Sequence, residues 1–384
     1  MPDPTDALAP FHPLVQAWFR EEVGTPTEAQ ALAWPRIAGG EHVLVSAPTG
    51  SGKTLTAFLW ALDRLLTGEW PGDRLRVLYI SPLRALNTDV RRNLQKPLEA
   101  LKRRFDFAGT PAARVQVMTR SGDTPQSERR KMLRHPPEIL VTTPESLNIL
   151  LTSRSGRHLL GDVRCVILDE IHALAASKRG THMLTAVERL VDLSGEFQRI
   201  ALSATVRPME KVAEMVGGYE RLDVDGEARY AARPVSIVRS KASKVYDVAV
   251  RFPVDRDPEA ELDDESMWRM LTQDFRKVIE RNRSTLLFAN SRRMTEKATR
   301  LINMEASSEL AYSHHGSLSR EVRSVVEKRL KDGELRAIVA TNSLELGIDI
   351  GELDHRAHFP RQRPVVRVGQ LARRLHIDQA RGLL

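Results

Sequence analysis

The chain has a single cysteine, Cys165, among 384 residues. Disulfides within the chain and cysteine zinc sites are thereby excluded, and a reducing compartment is expected. A leader is also missing: "MPDPTDALAPF" has neither a basic n-region nor an apolar h-region, so no secretory signal is read and a cytoplasmic protein is expected. No apolar run is long enough to cross a bilayer. "LTAFLWALDRLL" is broken by Asp63 and Arg64, so no membrane partner is expected. No internal repeat of solenoid period is evident. What remains is an ordinary globular composition, 41% hydrophobic and 28% charged, with a formal charge of +8. That charge leans toward a polyanionic partner, most simply a nucleic acid.

Short apolar runs alternate with helix-period stretches. The runs are Val43–Val45, Val77–Ile80, Val115–Val117, Ile139–Val141, Cys165–Leu168 and Ile200–Leu202. Thr54–Leu66, Ala85–Phe105, Ser127–Leu133 and Thr181–Leu193 are the intervening helical patterns. Strands alternating with helices predict an α/β fold with parallel sheets flanked by helices. The pattern loosens after Gly217-Gly218, with extended stretches at Pro234–Val238 and Val248–Phe252. It then passes through an acidic, aperiodic loop at 254–266 and resumes at Thr285–Phe288, Leu310–Tyr312 and Ala337–Ala340. The expected division is a first domain over 1–218, a linker and entry segment over 219–284, and a second domain over 285–384.

Ala47-Pro-Thr-Gly-Ser-Gly-Lys-Thr54 follows a strand pattern and opens a helix pattern, as a phosphate-binding loop does. Thr49, Gly50, Ser51 and Gly52 form the turn, and the two glycines let backbone N–H groups converge on a phosphate. Lys53 reaches the outer phosphates, and the Thr54 hydroxyl is placed for Mg²⁺. Cys165–Leu168 runs into Asp169-Glu-Ile-His172. Two acids at the carboxyl end of a parallel strand lie where such sheets bind ligands. Asp169 is expected to hold Mg²⁺ through water, and Glu170 to orient and deprotonate an attacking water, which favours hydrolysis over transfer. His172 is either a coupling residue or a packing histidine.

With these residues in this order the chain resembles superfamily 2 helicases of the DEAD/DEAH type. "GTPTEAQ" (24–30) is similar to the Q motif, with Thr27 and Gln30 implied to read adenine. "SPLRALNTD" (81–89), "RSGDT" (120–124) and "VTTPESL" (141–147) resemble motif Ia and the Ib region. "LSATV" (202–206) resembles motif III, "LLFANSRR" (286–293) motif IV, "HHGSLSRE" (314–321) the segment after it, and "VATNSLELGIDIG" (339–351) motif V. Within the superfamily, the set is most similar to the large helicase-related (Lhr) group. The resemblance implies two RecA-like domains, ATP and Mg²⁺ as cofactors, and a monomer moving on single-stranded or partly duplex nucleic acid. DNA is favoured and RNA remains open, with an implied role in DNA repair or in unwinding RNA–DNA hybrids. Nucleic-acid contacts are expected from Pro82, Arg84, Arg120, Gly122, Thr143, Pro144, Glu145, Ser291, Arg292, Gly316, Ser317, Thr341 and Asn342. For each of these alone, helix capping is the competing explanation. Ser203 and Thr205 are implied to link nucleotide state to strand grip. Gly347 and Asp349 are implied to bring the second domain to ATP.

Motif VI departs from the family. After Gly351 the chain reads "ELDHRAHFPRQRPVVRVGQLARRLHIDQARGLL", and its nearest fragment, Arg367 to Arg373, has Gln370 where an arginine is expected. Arg367 and Arg373 are the candidate arginine fingers. From about residue 355 the tail is rich in Arg and His and has no Lys. The expectation is a frame disruption or truncation that leaves the second domain incomplete. The alternative function is then an ATP- and nucleic-acid-binding remnant with little turnover. A further alternative is an RNA-directed helicase.

Overall fold

The computed structural model describes residues 6–48, 50–82, 84–204, 206–224, 227–240, 264–304, 306, 308–331, 334–341 and 355–358. The chain forms two bodies, Met1–Lys244 and Val245–Leu384.

In the first body, strands β1 (His42–Ser46), β2 (Val77–Ile80), β3 (Val117–Arg120), β4 (Ile139–Thr142), β5 (Cys165–Leu168) and β6 (Gln198–Ser203) precede a hairpin of β7 (Tyr219–Val224) and β8 (Glu227–Ala232), and β9 (Val235–Arg239) follows it. Seven of them form one sheet in the order β3-β4-β2-β5-β6-β1-β9. Every pairing within it is parallel. Helices α1 (Pro13–Trp18) and α2 (Glu28–Ala38) precede β1, and the connections between strands carry α3 (Lys53–Leu66), α4 (Arg84–Phe107), α5 (Gln126–Arg134), α6 (Pro144–Thr152), α7 (Arg154–Leu159), α8 (Ile171–Leu174), α9 (Lys178–Ser194) and α10 (Met209–Gly217).

The strands are apolar at nearly every position because both faces are covered. Their period of two divides the core. Val43, Val45, Ile167 and Ile200 join Trp34, Phe58, Leu62 and Leu101 on one face. Leu44, Val166, Leu168 and Ala201 join Leu147, Met183, Leu190 and Val212 on the other. In such a sheet all carboxyl-terminal strand ends lie along one edge, and the turns into the following helices gather there.

The first body extends beyond the expected boundary at 218. β9 pairs with β1 from His42↔Val235 to Ser46↔Arg239 and so completes the first sheet rather than belonging to a linker. Buried charge secures this join. Arg199 of β6 donates to Glu188 of α9 and to the carbonyls of Val216 and Gly217. Arg233, just before β9, donates to Glu188, Glu196 and the Gly217 carbonyl. The expected extended stretch at Val248–Phe252 and most of the acidic loop lie outside the described residues.

Among the described residues the second body's first element is α11 (Asp264–Arg281), so this part of the expected entry segment is helical. It continues through β10 (Thr285–Phe288), α12 (Arg292–Asn303), β11 (Ala311–His314), α13 (Arg320–Lys331), β12 (Ala337–Ala340) and β13 (His355–His358). The sheet order is β11-β12-β10-β13, all parallel. Ile279, Ala298 and Ile302 cover one face with Leu287 and Val339. Val326 covers the other with Leu286, Phe288 and Ile338. β13 is formed by residues that the sequence assigned to the start of the atypical tail. Backbone pairing at a sheet edge does not depend on an apolar alternation, so the pattern carried no sign of it.

Candidate functional site

β1 turns into α3 through a loop that only glycine builds without strain. Gly50 and Gly52 have φ of 80° and 77°, in the left-handed region that side chains disfavour. A Cβ at Gly52 would also lie 2.7 Å from Gln30 Nε2, so the end of that side chain would have to shift. Lys53 begins α3 and folds back, its ammonium donating to the carbonyls of Ala47 (2.7 Å) and Pro48 (2.8 Å). Thr54 is the next helical residue. An N-terminal helix turn, a Gly-rich loop and a buried lysine together make an anion cradle.

The amino-terminal segment braces this cradle. The Thr27 hydroxyl donates to the Ser51 carbonyl (3.1 Å). Thr27 and Gln30 form a reciprocal capping box at the start of α2, with Thr27 N donating to Gln30 Oε1 at 2.9 Å. Gln30 is therefore buried against the loop, beside the phosphate cradle.

The acid pair lies at the end of β5, between β2 and β6 in the sheet order. Asp169 N donates to the Ile80 carbonyl (2.9 Å), which aligns the pair with the end of β2. Its Oδ1 accepts from Glu170 N (2.9 Å), and its Oδ2 accepts from the hydroxyl of Tyr79. Burial lifts the Asp169 carboxyl to about 6, the neighbouring Glu170 adds to this, and Tyr79 and Lys53 oppose it. Glu170 occupies the left-handed region at φ 48°, ψ 40°. A residue other than glycine rarely sits there, and such strain persists where surrounding structure holds it, often at functional sites. Burial raises its carboxyl above the ordinary value, against the pull of Lys53.

His172 joins the acids to the end of β6. Its Nδ1 accepts from Ala204 N at 3.2 Å and lies 3.3 Å from Glu170 Oε2. Burial and the Lys53 charge hold the imidazole below its usual range, so the neutral ring carries its proton on Nε2. β1 and β6 then connect the segments further. Ser46 Oγ donates to the Ala204 carbonyl (3.0 Å), and Ala47 N donates to the Ser203 carbonyl (3.1 Å). Ser203 Oγ is buried without a hydrogen-bond partner among the described residues. Phosphate loop and Ser203-Ala204 are thus hydrogen-bonded to each other, and His172 brings the acid pair into contact with them.

Among the described residues no cluster of three His, Cys, Asp or Glu could hold a metal. The donor set is one buried carboxylate, Asp169, and the Thr54 hydroxyl. Such a set fits Mg²⁺ brought by a nucleotide, because that ion keeps several waters and takes only one or two protein oxygens beside the phosphates.

The expected nucleic-acid residues of the first body cluster at the same sheet edge, but several side chains are already engaged. Pro82 is buried after Ser81, whose N–H donates to the Thr142 carbonyl. Arg84 is the first residue of α4. Arg120 is buried and donates to the Ser121 carbonyl, so it shapes the loop. Arg129, missed in the sequence, grips the same loop at the carbonyls of Ser121, Gly122 and Thr124. Thr143 caps α6 by accepting from Ser146 N, with Pro144 as the first helical residue. Glu145 is held by Arg179 of α9 through a two-point pair at 2.5 and 3.0 Å. This pair draws its carboxyl down to about 2.

In the second body Ser291 caps α12 by accepting from Met294 N, and Arg292 is exposed beside it. Ser317 N donates to His315 Nδ1, while His315 Nε2 meets Glu296 at 3.0 Å. Gly316 lies between these two residues, and Thr341 N donates to the His314 carbonyl. Thr49, Thr205, Asn342, Gly347, Asp349, Arg367 and Arg373 lie outside the described residues.

Residues 27–214 match the DEAD/DEAH box helicase family and residues 270–376 the helicase conserved C-terminal domain. The chain is 43% identical to the Lhr helicase/probable uracil glycosylase of Mycolicibacterium smegmatis, over 91% of this chain and 24% of that protein. It is 41% identical to ATP-dependent helicase Lhr-Core protein 2 of Thermococcus barophilus, over 96% of this chain and 43% of the relative. The solved structure of Mycobacterium smegmatis helicase Lhr bound to ssDNA and AMP-PNP superposes with a TM-score of 0.81 at 42% identity. That match covers 93% of this chain and 48% of the other. The chain thus spans less than half the length of these relatives.

Proposed function

The chain belongs to the DEAD/DEAH box helicases with Lhr-type relatives, and from that premise we propose that it is an ATP-hydrolysing motor that acts on single-stranded DNA. The observation that carries the proposal is the assembly of the Lys53 loop, the Ser203-Ala204 segment and the Asp169–Glu170 pair, the first two hydrogen-bonded to each other and the last in contact with them through His172.

Nucleotide phosphates enter the loop at the N-terminus of α3 and take Lys53 from the carbonyls of Ala47 and Pro48. Gln30, beside the loop, offers an amide to adenine. Mg²⁺ bound with the nucleotide would neutralise phosphate charge and be met by Asp169 and Thr54. Glu170 accepts a proton from the water that attacks the γ-phosphorus, and the bond to ADP breaks as the new P–O bond forms. Loss of phosphate changes the field at Glu170. His172 transmits that change to Ala204 and the end of β6. From there it reaches the loops at the strand ends, where Pro82, Gly122, Thr143 and Pro144 lie beside the backbone of the bound strand. The relative solved with ssDNA supports DNA over RNA.

The test is ATP turnover by the 384-residue chain, with and without single-stranded DNA or RNA, beside a Glu170→Gln control. Turnover well above the control and stimulated by DNA is the expected result. Turnover equal to the control, with labelled ATP still bound, would overturn hydrolysis in favour of a binding remnant. Stimulation by RNA alone would reassign the strand.

A further inference from the structure

Tyr79 stands outside every motif visible in the sequence, yet it touches the metal-facing acid. It is the third residue of β2, paired with Ile167 of β5. Its ring packs on Phe58 of α3, with centroids 5.2 Å apart and planes 24° from parallel. Phenylalanine would fill that space equally well, so packing alone does not account for the hydroxyl. A fully buried tyrosine hydroxyl needs a partner, and here the partner is Oδ2 of Asp169.

We propose that Tyr79 is a positioning residue for the metal–nucleotide: its hydroxyl donates to Oδ2 of Asp169 and fixes the carboxylate so that its remaining lone pairs face the water around nucleotide-borne Mg²⁺. This deepens the ATPase reading and rests on it. Asp169 is acceptor-only when ionised, and its two oxygens meet two donors from different elements, Glu170 N at Oδ1 and the Tyr79 hydroxyl at Oδ2. Together they set the plane of the group, as outer partners of metal-facing ligands do. Phe58 lies five residues after Lys53 on α3. The ring that carries the hydroxyl is therefore braced by the helix that carries the phosphate loop, and the two halves of the site share one support.

The experiment measures binding of a fluorescent, non-hydrolysable ATP analogue in EDTA and across a Mg²⁺ titration. It uses the full chain and its Tyr79→Phe, Asp169→Asn and doubly substituted forms. Tyr79→Phe should leave affinity in EDTA unchanged and weaken the Mg²⁺-dependent gain about 10-fold or more, the size typical of outer partners. In the Asp169→Asn background the same change should have no further effect, because the two residues act as one. An unaltered Mg²⁺ response in Tyr79→Phe would overturn the proposal, as would equal losses with and without Mg²⁺ or full additivity with Asp169→Asn. On the unsubstituted protein, the tyrosine ultraviolet difference spectrum should respond when Mg²⁺ is added to the nucleotide complex, and the response should vanish in Asp169→Asn. If the unsubstituted protein binds nucleotide with no Mg²⁺-dependent gain, the ATPase reading falls, and the Tyr79 proposal falls with it.

Discussion

Ala204 donates its backbone N–H to Nδ1 of His172 across 3.2 Å, and the same nitrogen lies 3.3 Å from Glu170 Oε2. One imidazole thus joins the proposed general base to the end of β6. While Nδ1 accepts from Ala204, its approach to Glu170 is a contact between two acceptors. It becomes attractive when either group takes up a proton, as Glu170 does during hydrolysis.

His172→Ala should separate hydrolysis from strand response. Basal ATP turnover is expected to stay within a few-fold of the original, because Glu170, Asp169 and Lys53 are retained. DNA stimulation is expected to fall about 10-fold or more, the size of a typical 1–3 kcal/mol coupling. Paired turnover and strand-displacement assays check this, and undiminished stimulation would refute it.

Gly52→Ala should disable the phosphate loop. The residue sits at φ 77°, and its new methyl would meet Gln30 Nε2 at 2.7 Å. Left-handed backbone costs a residue with a side chain about 1–2 kcal/mol. Gln30 cannot retreat without breaking the capping box with Thr27. Calorimetry should show nucleotide affinity reduced by about 10-fold or more, with a lowered melting temperature.

The Glu145–Arg179 pair should register as a small, pH-dependent coupling. Arg179 draws the folded carboxyl from its ordinary 4.5 to about 2. An acid depressed on folding stabilises the fold fully above its unfolded value, and that contribution fades as pH falls from about 4.5 toward 2. Both side chains are substantially exposed, at 39% and 51%, so solvent screening limits the pair to about 0.5–1 kcal/mol. A double-mutant cycle of Glu145→Gln and Arg179→Ala, followed by urea unfolding at pH 7 and near pH 3.5, should show the coupling at the first and a reduced one at the second.

Glu188→Ala should be the most destabilising of these changes. Its carboxylate faces Arg199, whose side chain is 1% exposed, and Arg233, at 4%. Removing it leaves two buried guanidinium groups short of a counter-charge, although carbonyls of Val216 and Gly217, and Glu196, remain. A loss of about 3–5 kcal/mol is expected, read as a lower urea midpoint with an unchanged slope.

Much of the fold and half of the candidate site were legible in the amino-acid order because they depend on near neighbours. The apolar runs, the glycines around Ser51, Lys53 and the Asp169–Glu170 pair announce a strand, a turn and a helix start within a few residues. Motif-like segments at 81–89 and 141–147 fall at strand ends for the same reason. The side-chain duties at those segments were less legible. Arg120 reads as a nucleic-acid contact, and the structure adds that its guanidinium serves the Ser121 carbonyl. Thr143 and Ser291 carry helix caps, so their hydroxyls already serve the protein backbone.

The tertiary structure alone decided which distant residues meet. Tyr79 and Asp169 are 90 positions apart and touch because β2 and β5 are neighbours in the sheet. Arg179 reaches Glu145 because α6 and α9 pack on the same side of it. β9 closes the first sheet beside β1, though the one ends at Ser46 and the other begins at Val235. Local order dictates period, turns and caps, which are short-range consequences of backbone sterics. Strand order is set by the packing of helices over both faces, and that long-range choice selects the side chains around the buried acid.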